Sequence, residues 1–457
     1  MNDLQNLNNF TMLRMFNLEE KNIKEFKVYH QDGILNIDIT LNPKKECCNL
    51  CGHDAYTIKG YVNKKLLHST FTNQKCVINY KARRYKCRLC NKTFYEHNPF
   101  AFDGMRLTMN TVYNVLCDLR KVTETFSSVA ERYHLSPTSV VSIFDNYVDI
   151  GRSQFSEVIC IDEVYAFKSY QGKYVCVLLD FKTQEIIDLL PSRKKADLYS
   201  YLRTIPKKER SKVKLISMDM WRTYRDVAQV FFPEAVCAVD KFHVLQEFSR
   251  KFSRVRVMEM NKYKKPEVEN DATLTELQKE MMYRDEINYY LLKKFNWLLF
   301  KMGDKAPKPD ARRRYNQRLK GHYNLYELRE LIFKANPVLL EVFNIQSKLY
   351  KFYEGKYSEA EEKFNDFIEV LKKSNIHGMT DFMNTLLQWK REIINSFMEV
   401  DGKGKVTNAI IENRNKAIKT IKRNSNGYKN WNRFRNRVMY VVNKSATHYL
   451  YPIKSSS

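Results

Sequence analysis

Five short apolar runs near the middle of the chain predict the strands of a sheet. Each run has five to eight residues, is rich in Val, Ile, Leu or Ala, and is bounded by polar residues. Residues 194–205 and 221–232 separate the later runs and fit helices. The predicted order is therefore three strands, a helix, a strand, a helix and a strand. The strands are residues 157–161, 173–180, 185–190, 213–218 and 235–239.

This order is typical of an RNase H-like core, in which the first strand lies centrally and pairs with the fourth. From residue 244 to residue 401, apolar residues recur three and four positions apart, which predicts an all-α insertion. A further helix is predicted over residues 406–422. The expected fold class is multidomain α/β, with a mixed-sheet core interrupted by the insertion.

Two Cys-x-x-Cys pairs predict a structural zinc site. Each pair is followed by a residue that tolerates a left-handed backbone, Gly52 or Asn91. Strand-like segments between the pairs predict a zinc ribbon, in which four thiolates surround the metal tetrahedrally. Cys47 could replace Cys48 as a ligand, but its spacing to Cys51 is one residue longer. The alternative to a zinc site is that the four cysteines are unrelated core residues. The predicted ligands are Cys48, Cys51, Cys87 and Cys90.

Residues 126–141 have the layout of a helix-turn-helix. Leu135 is predicted to fill the turn, and Ser136 to cap a second helix that has Pro137 in its first turn. If this helix reads DNA, its first residues reach the base edges. A three-helix packing unit without DNA contact is the alternative. The predicted DNA contacts are Thr138, Ser139 and Ser142.

The charge of the chain predicts a polyanionic partner. The 78 Lys and Arg outnumber the 52 Asp and Glu, which gives a net charge of +26. From residue 413 onward there are eleven basic residues and no acidic one. A solvated surface without a partner is the alternative. The predicted DNA contacts in this region are Lys416, Lys419, Lys422, Arg423, Lys429 and Arg433.

The apolar runs are all shorter than a membrane span, and the N-terminus lacks the layout of a signal peptide. These features predict no membrane partner and a cytoplasmic, nucleoid-associated location.

Three acidic residues stand where metal ligands are expected. Asp162 and Asp219 follow the first and fourth predicted strands, which are neighbours, and Glu412 lies in the basic helix 406–422. A carboxylate at the end of an apolar strand is costly unless a cation uses it, so a pair of divalent cations is the simplest explanation. For Asp219, helix capping is a direct rival. Asp240 also follows a strand, so it is either an alternative second ligand or a partner that orients the site with His243.

With these residues placed, the chain resembles the DDE transposases of bacterial insertion sequences, specifically the ISL-three group. The resemblance spans almost the whole chain. In two places it departs from the group's pattern: Ala409 replaces a more usual Gly, and Asn413 follows the glutamate where Gly is expected. Neither departure removes a ligand. The matching segments are residues 161–163, 219–224, 240–244, 407–408, 412–419, 427–430 and 433–434.

The resemblance implies an enzyme that binds the terminal inverted repeats of its element, cleaves them, and transfers strands to target DNA. By this resemblance Asp162, Asp219 and Glu412 are the catalytic triad and hold two Mg²⁺ or Mn²⁺ ions, while Asp240 and His243 are accessory. A homodimer or larger assembly on DNA is expected. The alternatives are a domesticated sequence-specific regulator without catalysis and an RNase H-like nuclease or resolvase.

The predicted domains follow from these motifs. They are a zinc ribbon (1–100), a helix-turn-helix domain (101–150), the first part of the core (151–243), the all-α insertion (244–401), the last core helix with a basic DNA-binding segment (402–440) and a tail (441–457).

Overall fold

The computed structural model describes residues 13–14, 23–70, 72, 74–169, 172–264, 275–400, 402 and 404–453. Parts of the predicted zinc ribbon (1–12 and 15–22), of the predicted insertion (265–274 and 401) and of the predicted tail (454–457) lie outside these residues. The chain forms two compact units. The first unit is Met1–Arg152, Tyr165–Lys173 and Arg414–Ser457, and the second unit is Ser153–Val164 and Tyr174–Asn413.

The strands and helices have the following bounds. The strands are β1 (Ile23–Gln31), β2 (Ile34–Leu41), β3 (Tyr56–His68), β4 (Cys76–Cys87), β5 (Thr93–Tyr95), β6 (Val158–Ser169), β7 (Gly172–Asp180), β8 (Ile186–Leu190), β9 (Leu215–Met218), β10 (Val236–Val239), β11 (Arg314–Asn316), β12 (Gly321–Tyr323), β13 (Glu399–Val400) and β14 (Gly404–Lys405). The helices are α1 (Met109–Asp118), α2 (Phe126–Arg132), α3 (Pro137–Tyr147), α4 (Lys195–Arg203), α5 (Lys207–Arg210), α6 (Arg222–Phe231), α7 (Lys241–Lys262), α8 (Glu276–Lys294), α9 (Leu325–Ala335), α10 (Pro337–Phe352), α11 (Ala360–Lys373), α12 (His377–Gln388), α13 (Lys390–Asn395), α14 (Ala409–Asn424) and α15 (Trp431–Val442).

A five-stranded sheet forms the N-terminal part of the first unit. Its order is β1-β2-β4-β3, with β5 paired to β4. Strand β2 alternates buried and half-buried residues along its length, because successive side chains of a strand point to opposite faces. The buried positions, which include Ile37 and Ile39, pack with Ile78 and Tyr80 of β4 in one apolar cluster. This sheet carries the cysteine pairs at one end of β4.

The predicted helix-turn-helix pair is present as α2 and α3. Ser136 accepts a hydrogen bond from the backbone N–H of Ser139, and Pro137 is the first residue of α3, as the sequence predicted. Helices α1, α2 and α3 share an apolar cluster with Tyr440 of α15. The hydroxyl of Tyr440 donates to the carbonyl of Leu116. The C-terminal helix is therefore packed into the same core as the three helices of the predicted reader.

The sheet of the second unit has the predicted topology. Its order is β10-β9-β6-β7-β8, and β6, the first strand, pairs in parallel with β9, the fourth. One prediction was too short, because β6 continues past residue 161 to Ser169. The sequence pattern ended the strand at its first acid, but Val164 and Ala166 beyond that acid are buried and keep the alternation of a strand.

The predicted insertion is mainly helical, but the all-α prediction was wrong. Strands β11 and β12 form an antiparallel hairpin within the insertion. Strand β13, at the end of the insertion, pairs with β14, which follows it. The hairpin forms because Asn316 Oδ1 accepts hydrogen bonds from the backbone N–H groups of Arg318 and Leu319, a local turn that competes with helix formation. Lys320 then takes a left-handed conformation with φ 49°.

The helices of the insertion share one core with the sheet. A single cluster of buried residues extends from Ile159 and Ile216 on the strands to Phe252, Val342 and Phe382 on the helices. The insertion is therefore part of the second unit and has no separate core within the described residues. Among these residues, no helix is both long enough and apolar enough to cross a membrane.

Candidate active site

The parallel pairing of β6 with β9 brings two predicted metal ligands to one edge of the sheet. Ile161 and Met218 are the last pair of this ladder, so Asp162 and Asp219 follow it side by side. Oxygen atoms of both carboxylates and a ring nitrogen of His243 lie within 4.8 Å of one another. Three groups that commonly bind metals therefore meet at one point of the second unit.

The contact between His243 and Asp219 is short but is not a well-aligned hydrogen bond. His243 Nε2 lies 2.6 Å from Asp219 Oδ1, yet this buried oxygen has no hydrogen-bond partner of acceptable geometry among the described residues. Buried polar atoms usually have well-aligned partners, so a short but poorly aligned contact leaves this oxygen available to a further donor or a cation. A nitrogen and two carboxylates that converge in this way form a donor set suited to a divalent cation such as Mg²⁺ or Mn²⁺.

The electrostatics of the pair also favour a cation. Burial, with the negative charge of Asp219 as the next cause, raises the pKa of Asp162 to about 7. The backbone N–H of Glu163 donates to Asp162 Oδ1 at 2.7 Å and opposes this shift only in part. Burial lowers the pKa of His243, whereas the adjacent Asp219 carboxylate raises it, and the net shift is upward. A divalent cation among these groups would stabilise both carboxylates in their charged form.

Glu163, the neighbour of Asp162, belongs to a different network that the sequence did not predict. Its carboxylate pairs with Arg193 and accepts a hydrogen bond from the Tyr224 hydroxyl at 3.1 Å. The Arg193 guanidinium lies 4.3 Å from the ring centroid of Tyr174 and 4.8 Å from that of Trp221. The one feature of the sequence that indicated separate networks for Asp162 and Glu163 is their adjacency in a strand, because adjacent side chains of a strand point to opposite faces. Because Glu163 is already neutralised by Arg193, it does not require a metal.

Asp240 connects two distant parts of the second unit. Its Oδ2 accepts a hydrogen bond from the backbone N–H of Phe242 at 3.2 Å and caps α7. Its Oδ1 accepts from the backbone N–H of Asn408 at 3.0 Å and lies 3.4 Å from the Thr407 hydroxyl. Both oxygens are therefore occupied by protein donors, and Asp240 holds the residues that precede α14 against the start of α7.

These contacts bear on the alternatives that the sequence left open for Asp219, Asp240 and His243. The ring of His243 contacts Asp219, whereas Asp240 accepts hydrogen bonds from backbone N–H groups. Asp219 does not cap α6, because the N-cap position is Trp221 and its side chain makes no cap hydrogen bond. The capping aspartate is Asp240, since it immediately precedes a helix whereas two residues separate Asp219 from α6.

Glu412, the third predicted ligand, lies in the first turn of α14. It is half-buried and is not a member of the cluster within 4.8 Å that Asp162, Asp219 and His243 form. Its helix is nevertheless tied to the sheet, because fully buried Asn408 accepts a hydrogen bond at 2.7 Å from Ser217 of β9. Residues four apart share one face of a helix, so Glu412 lies one turn beyond a residue bonded to the strand that leads to Asp219.

The first unit contains the predicted four-cysteine cluster. The Sγ atoms of Cys48 and Cys90 are 3.7 Å apart, and those of Cys51 and Cys87 are 3.6 Å apart. Four sulfurs about 2.3 Å from a zinc ion would be separated by about 3.8 Å in a tetrahedron, so the spacing fits zinc. Backbone N–H groups, that of Cys90 first, lower the pKa of Cys87 to about 6. Cys47 is exposed and lies outside the cluster.

The predicted base-reading residues lie at the start of α3. Thr138 and Ser142 are exposed and Ser139 is half-buried. The hydroxyls of Thr138 and Ser139 each lie 2.8 Å from Ser136 Oγ. The capping serine therefore holds two of the three hydroxyls in a defined position.

The predicted phosphate-binding cations fall into two groups. Lys416, Lys419, Arg423 and Lys429 are exposed. Lys422 is half-buried, with its Nζ 4.3 Å from the ring centroid of Tyr165. Arg433 forms an ion pair with Asp145 of α3 at 2.6 Å, which joins α15 to the predicted reader. Arg433 is thus already engaged inside the first unit, a contact that no local pattern indicated.

Comparison with known proteins identifies the family. The profile of the ISL3 family of DDE transposases matches residues 159–438, which is more than half of the chain. The chain belongs to this family. The transposase is also 21% identical, over 413 residues, to the transposase of insertion sequence element IS1001 from Bordetella parapertussis. That alignment covers 87% of this chain and 90% of the relative.

The resemblance inferred from the sequence motifs is therefore confirmed. Membership implies that the transposase is an enzyme that cuts DNA in DNA transposition, binds DNA and uses a divalent metal. The matched range begins in β6 and ends in α15, so it includes the carboxylate cluster and all three predicted acids. Family membership favours this function over the regulator and the nuclease that the sequence left as alternatives.

Proposed function

We propose that this transposase cleaves the ends of its element and joins them to target DNA with two divalent cations held by Asp162, Asp219 and Glu412. The observation that carries this proposal is the convergence of the Asp162 and Asp219 carboxylates with the His243 ring, whose ligand atoms lie within 4.8 Å of one another. The two aspartates are supplied by paired strands of a sheet, so their positions are rigid. When bound, the cations would neutralise charge that develops on the scissile phosphate and would polarise the attacking oxygen.

His243 and Asp240 are proposed to assist in different ways. His243 orients the Asp219 carboxylate through the 2.6 Å contact and offers a nitrogen ligand at the same point. Asp240 acts as a positioning residue, because it holds Asn408 and thereby the start of α14. Glu412 completes the ligand set from this helix, and Lys416 and Lys419 follow it at four and seven residues, on the same face. Those two lysines are proposed to bind phosphates next to the reacting one.

End recognition is assigned to the first unit. Thr138, Ser139 and Ser142 of α3 are proposed to contact base edges in the major groove. The exposed cations Arg423 and Lys429 are proposed to contact the backbone, which makes binding strongly salt-dependent. Zinc in the four-cysteine cluster is structural. A homodimer or larger assembly is proposed to hold two element ends together.

Two substitutions test the assignment of the second acid. Asp219→Asn and Asp240→Asn are assayed for cleavage of a duplex carrying the element end, with Mg²⁺ and with Mn²⁺. We expect Asp219→Asn to lose cleavage in both metals while it retains end binding. Asp240→Asn should retain measurable cleavage at a temperature where it is folded. If Asp240→Asn is inactive while folded and Asp219→Asn cleaves normally, the proposed triad is wrong.

A strand-transfer assay tests the reaction class. The wild-type protein is supplied with pre-cleaved ends and a supercoiled target plasmid, and joined products are measured on a gel. Joined products support strand transfer. If the protein cleaves intact ends in a parallel reaction but joins no pre-cleaved ends, it has a nuclease activity only.

A further inference from the structure

A groove of about 1130 Å³ lies in the second unit between the hairpin β11–β12 and the ends of α8 and α9. It is larger than most pockets for small molecules. None of the residues assigned above to cleavage lines it. The lining side chains that matter here are Lys294, Arg312, Arg314, Tyr290, Tyr315 and Tyr323.

The groove is strongly basic. Residues 305–320 contain seven Lys or Arg and one Asp. Two of these cations are neutralised, Arg313 by Glu327 and Arg318 by Glu286. Arg312 and Arg314 are exposed, and neither has a carboxylate partner within the described part of the chain. They present a concentrated positive charge that matches a row of phosphates.

Aromatic rings accompany these cations. Tyr315 lies between Arg314 and Asn316 on β11, is 60% exposed, and its ring is tilted against that of His322 with centroids 5.2 Å apart. Tyr290 lies on the opposite wall, where its hydroxyl is 3.4 Å from Asn316 Oδ1. Cations beside accessible ring faces are the arrangement by which proteins bind single strands, because unpaired bases stack on the rings. A duplex offers its phosphates but keeps its base faces inside the stack.

The groove is held in shape before any ligand binds. Asn316 fixes the turn through the N–H groups of Arg318 and Leu319. The ion pairs of Arg318 with Glu286 and of Arg313 with Glu327 join the hairpin to α8 and α9. A preformed site loses less conformational entropy on binding than a flexible one.

We propose that this groove binds a short single-stranded segment of DNA, with phosphates on Arg312 and Arg314 and a base stacked on Tyr315. The proposal rests on the proposed function for the source of the strand, because cleavage of an element end can leave bases unpaired. Binding itself requires none of the acids at the cleavage site.

The first test measures binding by the full-length protein without divalent metal. The probe is a fluorescent single-stranded DNA of about twelve nucleotides, and its anisotropy is followed as salt is raised. The variant Arg312→Gln/Arg314→Gln should bind at least tenfold more weakly, and its salt slope should fall by about 1.4, since each phosphate contact on a single strand contributes about 0.7. The matched control is Lys305→Gln/Lys308→Gln, which also removes two positive charges, from exposed residues outside the lining, and should weaken binding less than twofold.

The second test locates the base. The same DNA carrying 5-iodouracil is irradiated, and the cross-linked residue is found by mass spectrometry. Tyr315 should be labelled, Tyr315→Phe should keep the affinity, and Tyr315→Ala should lose several-fold in affinity. A loss for Lys305→Gln/Lys308→Gln equal to that of Arg312→Gln/Arg314→Gln would overturn the proposal. An equal loss on a duplex end, or tighter binding of RNA with the same sequence, would also overturn it.

A further variant separates this proposal from the proposed function. Asp162→Asn should bind the single-stranded probe like the wild type and fail to cleave. Cleavage by Asp162→Asn would contradict the proposed triad and leave the groove unaffected. Normal probe binding by Arg312→Gln/Arg314→Gln would contradict the groove and leave the triad unaffected.

Discussion

The four-cysteine cluster of the first unit and the carboxylate cluster of the second unit differ in how complete they are. The cysteines supply four sulfurs at spacings that suit a tetrahedron, and this leaves no position for a substrate. The carboxylate cluster supplies two aspartates and a histidine, and its proposed third acid comes from a helix after the insertion. A closed set of ligands is typical of a structural metal, whereas an incomplete one leaves room for a phosphate and a nucleophile.

The two sites also differ in what the protein loses without metal. Cys48 and Cys87 of the four-cysteine cluster pack with Tyr85 and Phe94 in a short apolar cluster, so a metal bound there would be part of the core. The carboxylates lie on a sheet that already has a large core of its own. Metal removal should therefore unfold part of the first unit but leave the second unit folded.

The largest expected effect is that of Cys87→Ser. Losing one of four ligands removes zinc binding, which contributes on the order of 10 kcal/mol in small zinc modules, more than such a region can lose and remain folded. Zinc content and the thermal unfolding of the N-terminal sheet are the measurements. Cys47→Ser is the matched control, because Cys47 is exposed and outside the cluster. Equal zinc loss in both variants would contradict the ligand assignment.

The next largest effect is that of Asp162→Asn on catalysis. Loss of a ligand shared by the cations should reduce cleavage by about 10³-fold or more. The unfolding midpoint should not fall, because the substitution removes one of two buried like charges. Cleavage kinetics and thermal unfolding are measured on the same preparation. Asp226→Asn, at an exposed ion pair with Lys195, should leave cleavage within twofold, and a lower midpoint for Asp162→Asn would contradict the proposed electrostatics.

Asp240→Ala should mainly reduce stability, whereas Asp162→Asn should mainly reduce cleavage. It removes a helix cap, worth about 1 kcal/mol, and leaves the buried N–H of Asn408 without its acceptor, at about 1–3 kcal/mol. We expect a decrease of about 2–3 kcal/mol in the free energy of unfolding, measured in urea. Asp219→Asn is the control and should change this free energy by less than 1 kcal/mol, because Asp219 caps no helix and asparagine keeps the shape of the side chain and an oxygen beside His243.

The last expected effect is a pH dependence of the metal-free protein. The pKa of Asp162 is raised by burial from 3.8 to about 7 in the folded state. The folded state therefore keeps a proton that the unfolded state releases, so the contribution of Asp162 to stability falls as pH rises from about 4 to about 7. Asp162→Asn should lack this decline, and Mg²⁺ should reverse it in the wild type near pH 7. Calorimetry at several pH values, with and without Mg²⁺, is the measurement, and a parallel decline in the variant would assign it to other groups.

Local patterns were sufficient for much of the fold. The Cys-x-x-Cys spacing identified the four cysteines that the structure brings together. Ser136 and Pro137 marked the start of α3, because capping involves residues next to one another. The strand order followed from the alternation of apolar runs and helices. These features depend on contacts within a few residues, or on a topology that few alternatives satisfy.

Other features depend on contacts that no short window contains. The hairpin β11–β12 depends on a turn formed by Asn316 within a segment whose apolar pattern is helical. Arg433 pairs with Asp145, which lies 288 residues earlier in the chain. The ring of His243 contacts the carboxylate of Asp219 and not that of Asp240, which is nearer in sequence. Asp240 was occupied by Asn408, 168 residues away.

The carboxylate site shows where the division lies. The sequence identified Asp162 and Asp219 as the acids that follow paired strands, since a buried charge at such a place needs a reason. Only the tertiary structure decided that His243 joins them and that Asp240 secures the start of α14. Capping and strand pairing can be predicted from local sequence. The partner of a buried polar group depends instead on which distant donors the tertiary structure places within hydrogen-bond distance.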